Sequence, residues 1–123
     1  MEITPEFLES AFQALKQEIF STLHVAMPGI LQSYNAEART ADIQPALLRK
    51  NPAGEAISAP VLRDVPVFLC GAAAQDEAVP APGTPCILLF LDFCIDSFLQ
   101  TGQPALPPSP RTHDLSDAIA FIR

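Results

Sequence analysis

The first apolar pattern along the chain has the period of an α-helix. Apolar side chains follow one another at spacings of 4, 3 and 4 residues and lay one stripe along such a helix. This stripe consists of Leu8, Phe12, Leu15 and Ile19. Thr4 is a residue type that caps helix starts, and the proline after it suits a first helical position. We therefore predict a helix over residues 4–23.

The next pattern, over residues 27–45, has the period of two that is typical of strands. Thr40, Asp42 and Gln44 alternate with Ala41 and Ile43, as expected for a half-buried strand. The polar residues 35–39 before them have the length of a hairpin loop. We predict strands over residues 24–34 and 40–48, joined as a hairpin.

Three further strands are predicted, over residues 61–70, 86–93 and 118–122. Pro66 cannot donate to a β-ladder, so the first of these lies at an edge or has a bulge there. The strand over residues 86–93 is apolar on both faces, which indicates burial on both. One face carries Ile87, Leu89, Leu91 and Phe93, and the other carries Leu88 and Phe90. One face can fill a barrel, and the other must meet the helix or another subunit.

Between these strands we predict a polar loop over residues 49–60, a long loop over 71–85 and an extended connection over 103–112. A helical turn is predicted over residues 95–100. The whole pattern predicts a mainly β fold, a five-stranded antiparallel barrel of the OB type over residues 25–123, preceded by one amphipathic helix over residues 1–24. The helix packs either on its own barrel or against copies of itself or a partner.

Charge and composition narrow the function classes. The net charge is −7 and no lysine or arginine cluster occurs, which argues against nucleic acid and anionic membrane surfaces as partners. The N-terminus lacks the basic region and apolar run of a signal peptide, and no apolar run reaches membrane-span length. The three cysteines form no Cys-x-x-Cys pair, so we expect reduced thiols in a protein made in a cytoplasm.

Residues with catalytic potential do not converge in the sequence. His24 and His113 are the two histidines, and we expect surface or strand-end positions for both. Cys94 has Asp92 and Asp96 nearby, and two carboxylates disfavour a reactive thiolate. The two aspartates are expected to cap and complement a helix start. We predict no catalytic, cofactor-binding or metal-binding residue.

Five segments, taken in order, resemble the N-terminal OB domain of phage central spike (tail-puncture) proteins. The segments are residues 27–34, 40–45, 62–67, 92–102 and 111–118. The resemblance implies a non-enzymatic structural part of a contractile tail or related injection machine. It also implies a homotrimer in the virion baseplate that joins a hub protein to a spike. We expect the spike itself to follow Arg123, so these residues would not contact the membrane.

The residues expected in the assembly interface come from the stripe and the strongest strand. They are Leu8, Phe12, Leu15, Ile19, Leu88 and Phe90. An alternative from another class is a monomeric OB-type module that binds a peptide or a saccharide. The mass of the chain in solution separates the two hypotheses, because only the first requires three copies.

Overall fold

The computed structural model describes residues 2–70 and 79–123, and shows one helix followed by a closed five-stranded barrel. Part of the loop predicted over residues 71–85 lies outside the described residues. The strands are β1 (Ala26–Asn35), β2 (Thr40–Pro45), β3 (Arg49–Lys50), β4 (Ala56–Ile57), β5 (Leu62–Leu69), β6 (Pro85–Phe90) and β7 (Ala118–Ile122). The helices are α1 (Pro5–Thr22) and α2 (Asp96–Thr101), with a 3₁₀ turn at Leu115–Asp117.

The predicted helix is confirmed as α1, with the predicted cap. The Thr4 hydroxyl oxygen accepts a hydrogen bond from the Phe7 amide at 3.1 Å, and Pro5 begins the helix. The predicted helical turn is also confirmed as α2, which ends at Gly102 in the left-handed region (φ 69°). Within the described residues, neither helix is long and apolar enough to span a bilayer.

The barrel strands follow the order β1-β2-β5-β7-β6 and close back on β1. Four neighbouring pairs are antiparallel, but β5 and β7 are parallel, with Val67 opposite Ala120. The five-stranded barrel is thus confirmed, whereas the purely antiparallel sheet is wrong. A closed ring with an odd number of strands cannot alternate in direction throughout, so one neighbouring pair must be parallel.

The core fills the inside of this barrel. The predicted alternation in β2 is confirmed, since Ala41 and Ile43 are buried. Gly29 in β1 is needed for close packing, because a Cβ there would lie 2.7 Å from a methyl carbon of Ile43. The buried apolar residues are Leu31, Ala41, Ile43, Leu62, Val65, Val67, Cys86, Leu88, Phe90, Ala118, Ala120 and Ile122.

Two details of the strands differ in part from expectation. The register between β2 and β5 shifts near Arg63 and Asp64, two residues before Pro66, so β5 carries a bulge and is not an edge strand. The Asp64 amide (φ 53°) donates to Asp42 at 3.2 Å and so stabilises the bulge. The predicted polar loop 49–60 contains the small hairpin β3–β4, whose two short strands are too brief to show a period.

Candidate assembly surfaces

The stripe on α1 is exposed along its whole length. Its side chains keep 44% (Leu8), 67% (Phe12), 54% (Leu15) and 49% (Ile19) of their surface exposed, and no residue of α1 is buried. The alternative in which the stripe packs on its own barrel is therefore wrong. An apolar stripe of this length, open to solvent, is the mark of an association surface.

The junction between α1 and the barrel is held by hydrogen bonds on several sides. Arg49 on β3 donates to the carbonyl of Ser21 at 2.6 Å, and this places a cation at the C-terminal end of α1. The Phe90 amide donates to the carbonyl of Val25 at 2.9 Å. The His113 ring nitrogen Nδ1 lies 3.1 Å from the carbonyl of His24. The helix thus leaves the barrel from a fixed point while its stripe remains uncovered.

The two faces of β6 have opposite roles to those assigned from the sequence. Leu88 (0% exposed) and Phe90 (4%) lie inside the barrel, so placing them in an interface is wrong. Side chains that fill the core cannot also contact a partner. Ile87, on the opposite face, is about half exposed. The sequence pattern showed that β6 has two apolar faces, but not which of them points inward.

The outward face of β6 continues onto its neighbour β7 and then β5. Ile87 is opposite Phe121, and Phe121 is opposite Phe68 in the parallel pair. The rings of Phe68 and Phe121 stack with centroids 5.5 Å apart. We call Phe68, Ile87 and Phe121 the outer patch. This patch gives the barrel a second exposed apolar surface, separate from the α1 stripe.

A groove lies at the base of α1, between the β3–β4 hairpin and the barrel. Its volume is about 550 Å³. We call it the basal groove, and its apolar walls include Met27, Leu47, Leu48 and Ile57. Arg49 and Lys50 also line it and are exposed. The groove combines apolar walls with two cations, in a chain whose net charge is −7.

The two histidines come together in the fold, although they are far apart in the sequence. Besides its contact with the His24 carbonyl, His113 has its Nε2 atom 3.7 Å from an Asp92 oxygen. The His24 ring packs against Phe90 at 5.6 Å. Among the described residues, no hydroxyl or thiol forms a hydrogen bond with either ring. These contacts fix the junction and do not form the arrangement of a nucleophile and base.

An ion pair between Arg111 and a buried aspartate holds the segment between α2 and β7. Asp117 is fully buried and accepts two hydrogen bonds of 2.8 Å from Arg111, which also donates to Asp96 at 3.2 Å. Asp117 holds the pKa of the Arg111 guanidinium above its usual value. Asp96, Asp117 and Cys94 have ligand atoms within 4.8 Å of one another. The guanidinium of Arg111 already bonds both carboxylates, so the cluster acts as a structural tie.

Sequence reasoning missed this pair, although one signal was present. Arg111 is the one lysine or arginine between Arg63 and Arg123, and two aspartates, Asp114 and Asp117, follow it within six residues. The predicted capping by Asp92 or Asp96 is also wrong, because Ile95 occupies the cap position of α2 without a side-chain bond. The other half of that prediction is confirmed for Asp96, which lies in the first turn of α2, where a carboxylate complements the helix dipole.

The three cysteines are free thiols, as expected. Cys86 and Cys94 are buried, whereas Cys70 is exposed. Burial raises the pKa of the Cys86 thiol above its ordinary value, which keeps it protonated and unreactive.

Comparison with known proteins identifies the family to which this barrel belongs. No curated protein matches the chain. A family model described as the phage protein Gp138 N-terminal domain matches residues 27–123, which include every strand of the barrel except the first residue of β1. This match supports a structural role in a phage, and α1 lies before the matched region. The chain therefore belongs to the family of phage protein Gp138 N-terminal domains.

Proposed function

We propose that this chain is the barrel domain of a central spike protein in the baseplate of a contractile phage tail or related injection machine. In this role three copies associate and join a hub protein to a membrane-piercing spike. Membership of a phage N-terminal domain family supports the phage structural part of the proposal. The observation that carries the rest is that two apolar surfaces remain exposed on one small chain.

These surfaces are large enough to drive association. Fully burying one large apolar side chain is worth roughly 1.5–3 kcal/mol. The stripe offers four such side chains and the outer patch three, all of them exposed or only partly buried. Association that covers most of this surface in all the copies together can offset the several kcal/mol that bringing copies together costs.

The barrel also restricts how copies can associate. The closed barrel has no free strand edge, so copies cannot join by extending the barrel sheet. Contacts between the barrels of two copies must therefore pass through side chains on their outer surfaces. A rigid barrel joined through such side-chain contacts suits a part whose task is to transmit force.

In the proposed assembly each part of the chain has a mechanical role. The barrel and α1 face the hub and the other copies, and the chain that follows β7 leads into the spike. The action needs no cofactor or metal and no catalytic residue from this chain. These residues act inside the baseplate, so the membrane is contacted only by the spike.

Sedimentation of the full chain over a range of concentrations tests the proposal. We expect a trimer, and we expect Ile87→Asp to weaken it by about tenfold or more, because an interfacial charge without a partner is costly. Gln32→Asp places the same charge on an exposed β1 position and should leave the trimer unchanged. A stable monomer for the wild-type chain would contradict the proposal and favour the module that binds a peptide or saccharide.

A further inference from the structure

We propose that the α1 stripe of one copy docks in the basal groove of a neighbouring copy. The occupant of the groove is therefore a second copy of this chain. This inference rests on the self-association proposed above, and it names the surfaces that make one of the contacts. The groove and the stripe are both exposed to solvent, and the groove carries cations whereas the stripe is flanked by glutamates.

Helix α1 does not reach the basal groove of its own chain. The bonds from Arg49 to Ser21 and from Phe90 to Val25 fix the end of the helix where it meets the barrel. Beyond this point α1 extends over 18 residues, about 27 Å, with none of them buried. A helix of this length has the reach to contact an adjacent barrel of similar size.

The stripe and the basal groove match in apolar character. Leu47, Leu48 and Ile57 line the groove and are exposed at about half of their surface or more. Its volume of about 550 Å³ lies in the range of clefts that take up several apolar groups. The stripe supplies such groups in one row, as helices that bind in apolar grooves do.

The stripe and the basal groove also carry opposite charges at their margins. The segment from Glu2 to Thr22 contains four glutamates and one lysine. Glu9 and Glu18 lie on the two sides of the stripe, and Lys16 shares the side of Glu9. Arg49 and Lys50 lie at the groove. Opposite charges around an apolar contact favour this pairing of a glutamate-flanked stripe with a groove that carries two cations.

The proposed contact also determines which symmetry the assembly can have. The stripe and the groove are different surfaces, so the contact between copies is head-to-tail. Head-to-tail contacts close into a ring when the rotation between copies permits it. A ring of three uses every stripe and every groove once, so it leaves neither surface exposed.

Two single substitutions and their mixture test the contact. Leu15→Asp alters the stripe and Ile57→Asp alters the groove, and both side chains are exposed, so the barrel should remain folded. We expect each variant alone to associate about tenfold more weakly. An equimolar mixture should form a heterodimer, because the intact stripe of one variant meets the intact groove of the other. Native mass spectrometry with one variant isotopically labelled measures this.

Each other result overturns the inference in a recognisable way. If Ile57→Asp associates as the wild type does, the groove is not used, and a helix bundle explains the stripe. If both variants weaken association but the mixture shows no heterodimer, stripe and groove do not meet. The control Glu37→Lys, in the β1–β2 loop, should have no effect, whereas Glu9→Lys should weaken association severalfold.

The same experiment separates this inference from the proposed function. A trimeric wild type that neither variant affects would keep the trimer and reject the contact. A dimeric wild type that shows the heterodimer in the mixture would keep the contact and reject the trimer. A monomeric wild type would reject both.

Discussion

The helix and the barrel contain similar apolar side chains but treat them in opposite ways. In the barrel, the inward-facing apolar residues of five strands lie together in one core. In α1, by contrast, the apolar stripe is exposed and no residue is buried. The difference indicates that the barrel is complete as a folding unit. The helix leaves its apolar stripe exposed, and this is the surface that the proposed association would cover.

The largest expected effect compares a leucine of the core with a leucine of the stripe. Leu88→Ala should lower the free energy of unfolding of the barrel by about 2–5 kcal/mol, because it leaves a cavity in a fully buried site. Leu15→Ala should hardly change this free energy but should weaken association. Urea unfolding at low protein concentration measures the first quantity, and sedimentation measures the second. Equal losses of stability would remove the distinction between the two regions.

The next effect tests whether the barrel depends on the ion pair between Arg111 and the buried Asp117. Arg111→Ala should clearly lower the melting temperature, because it leaves the carboxylate of Asp117 buried without its partner. Arg63→Ala removes an exposed arginine 3.4 Å from Asp42 and should cost less than about 1 kcal/mol. Thermal unfolding followed by circular dichroism compares the two variants. Similar melting temperatures would show that the Arg111 pair is not structural.

A smaller effect tests whether α1 and the barrel unfold independently. Thr4→Ala removes the hydrogen bond from the Phe7 amide and should cost the helix about 1 kcal/mol. We expect less helical signal at 222 nm with an unchanged melting temperature of the barrel. A matching fall in the barrel's melting temperature would mean that the two regions are coupled within one chain.

The helices and strands were predicted from the sequence more accurately than the contacts that they make in the fold. The period of α1, the cap at Thr4 and the alternation in β2 are local features, and local features are visible in one sequence. Which face of β6 points inward depends on how the barrel closes, so Leu88 and Phe90 were assigned to the wrong side. The pairing of Arg111 with Asp117 and the junction at Arg49 depend on loops brought together only in the fold.

The smallest expected effect concerns pH. The Asp114 carboxylate accepts a hydrogen bond from the Ser116 amide at 2.8 Å, and this lowers the pKa of Asp114 below its usual value. A lowered pKa in the folded state contributes stability above the unfolded pKa, and this contribution is lost as the pH falls through the folded value. Asp114→Ala should therefore reduce the loss of stability between neutral pH and about pH 3 by a fraction of a kcal/mol. Unfolding curves at both pH values that show no such reduction would contradict this assignment.

The mass of the full chain in solution tests the central claim most directly. Sedimentation equilibrium from low to high micromolar concentration should show a trimer, because the proposed spike assembly joins three copies through their exposed apolar surfaces. Ile87→Asp should shift the distribution toward monomer without unfolding the barrel. A wild-type chain that remains a stable monomer throughout this range would contradict the account.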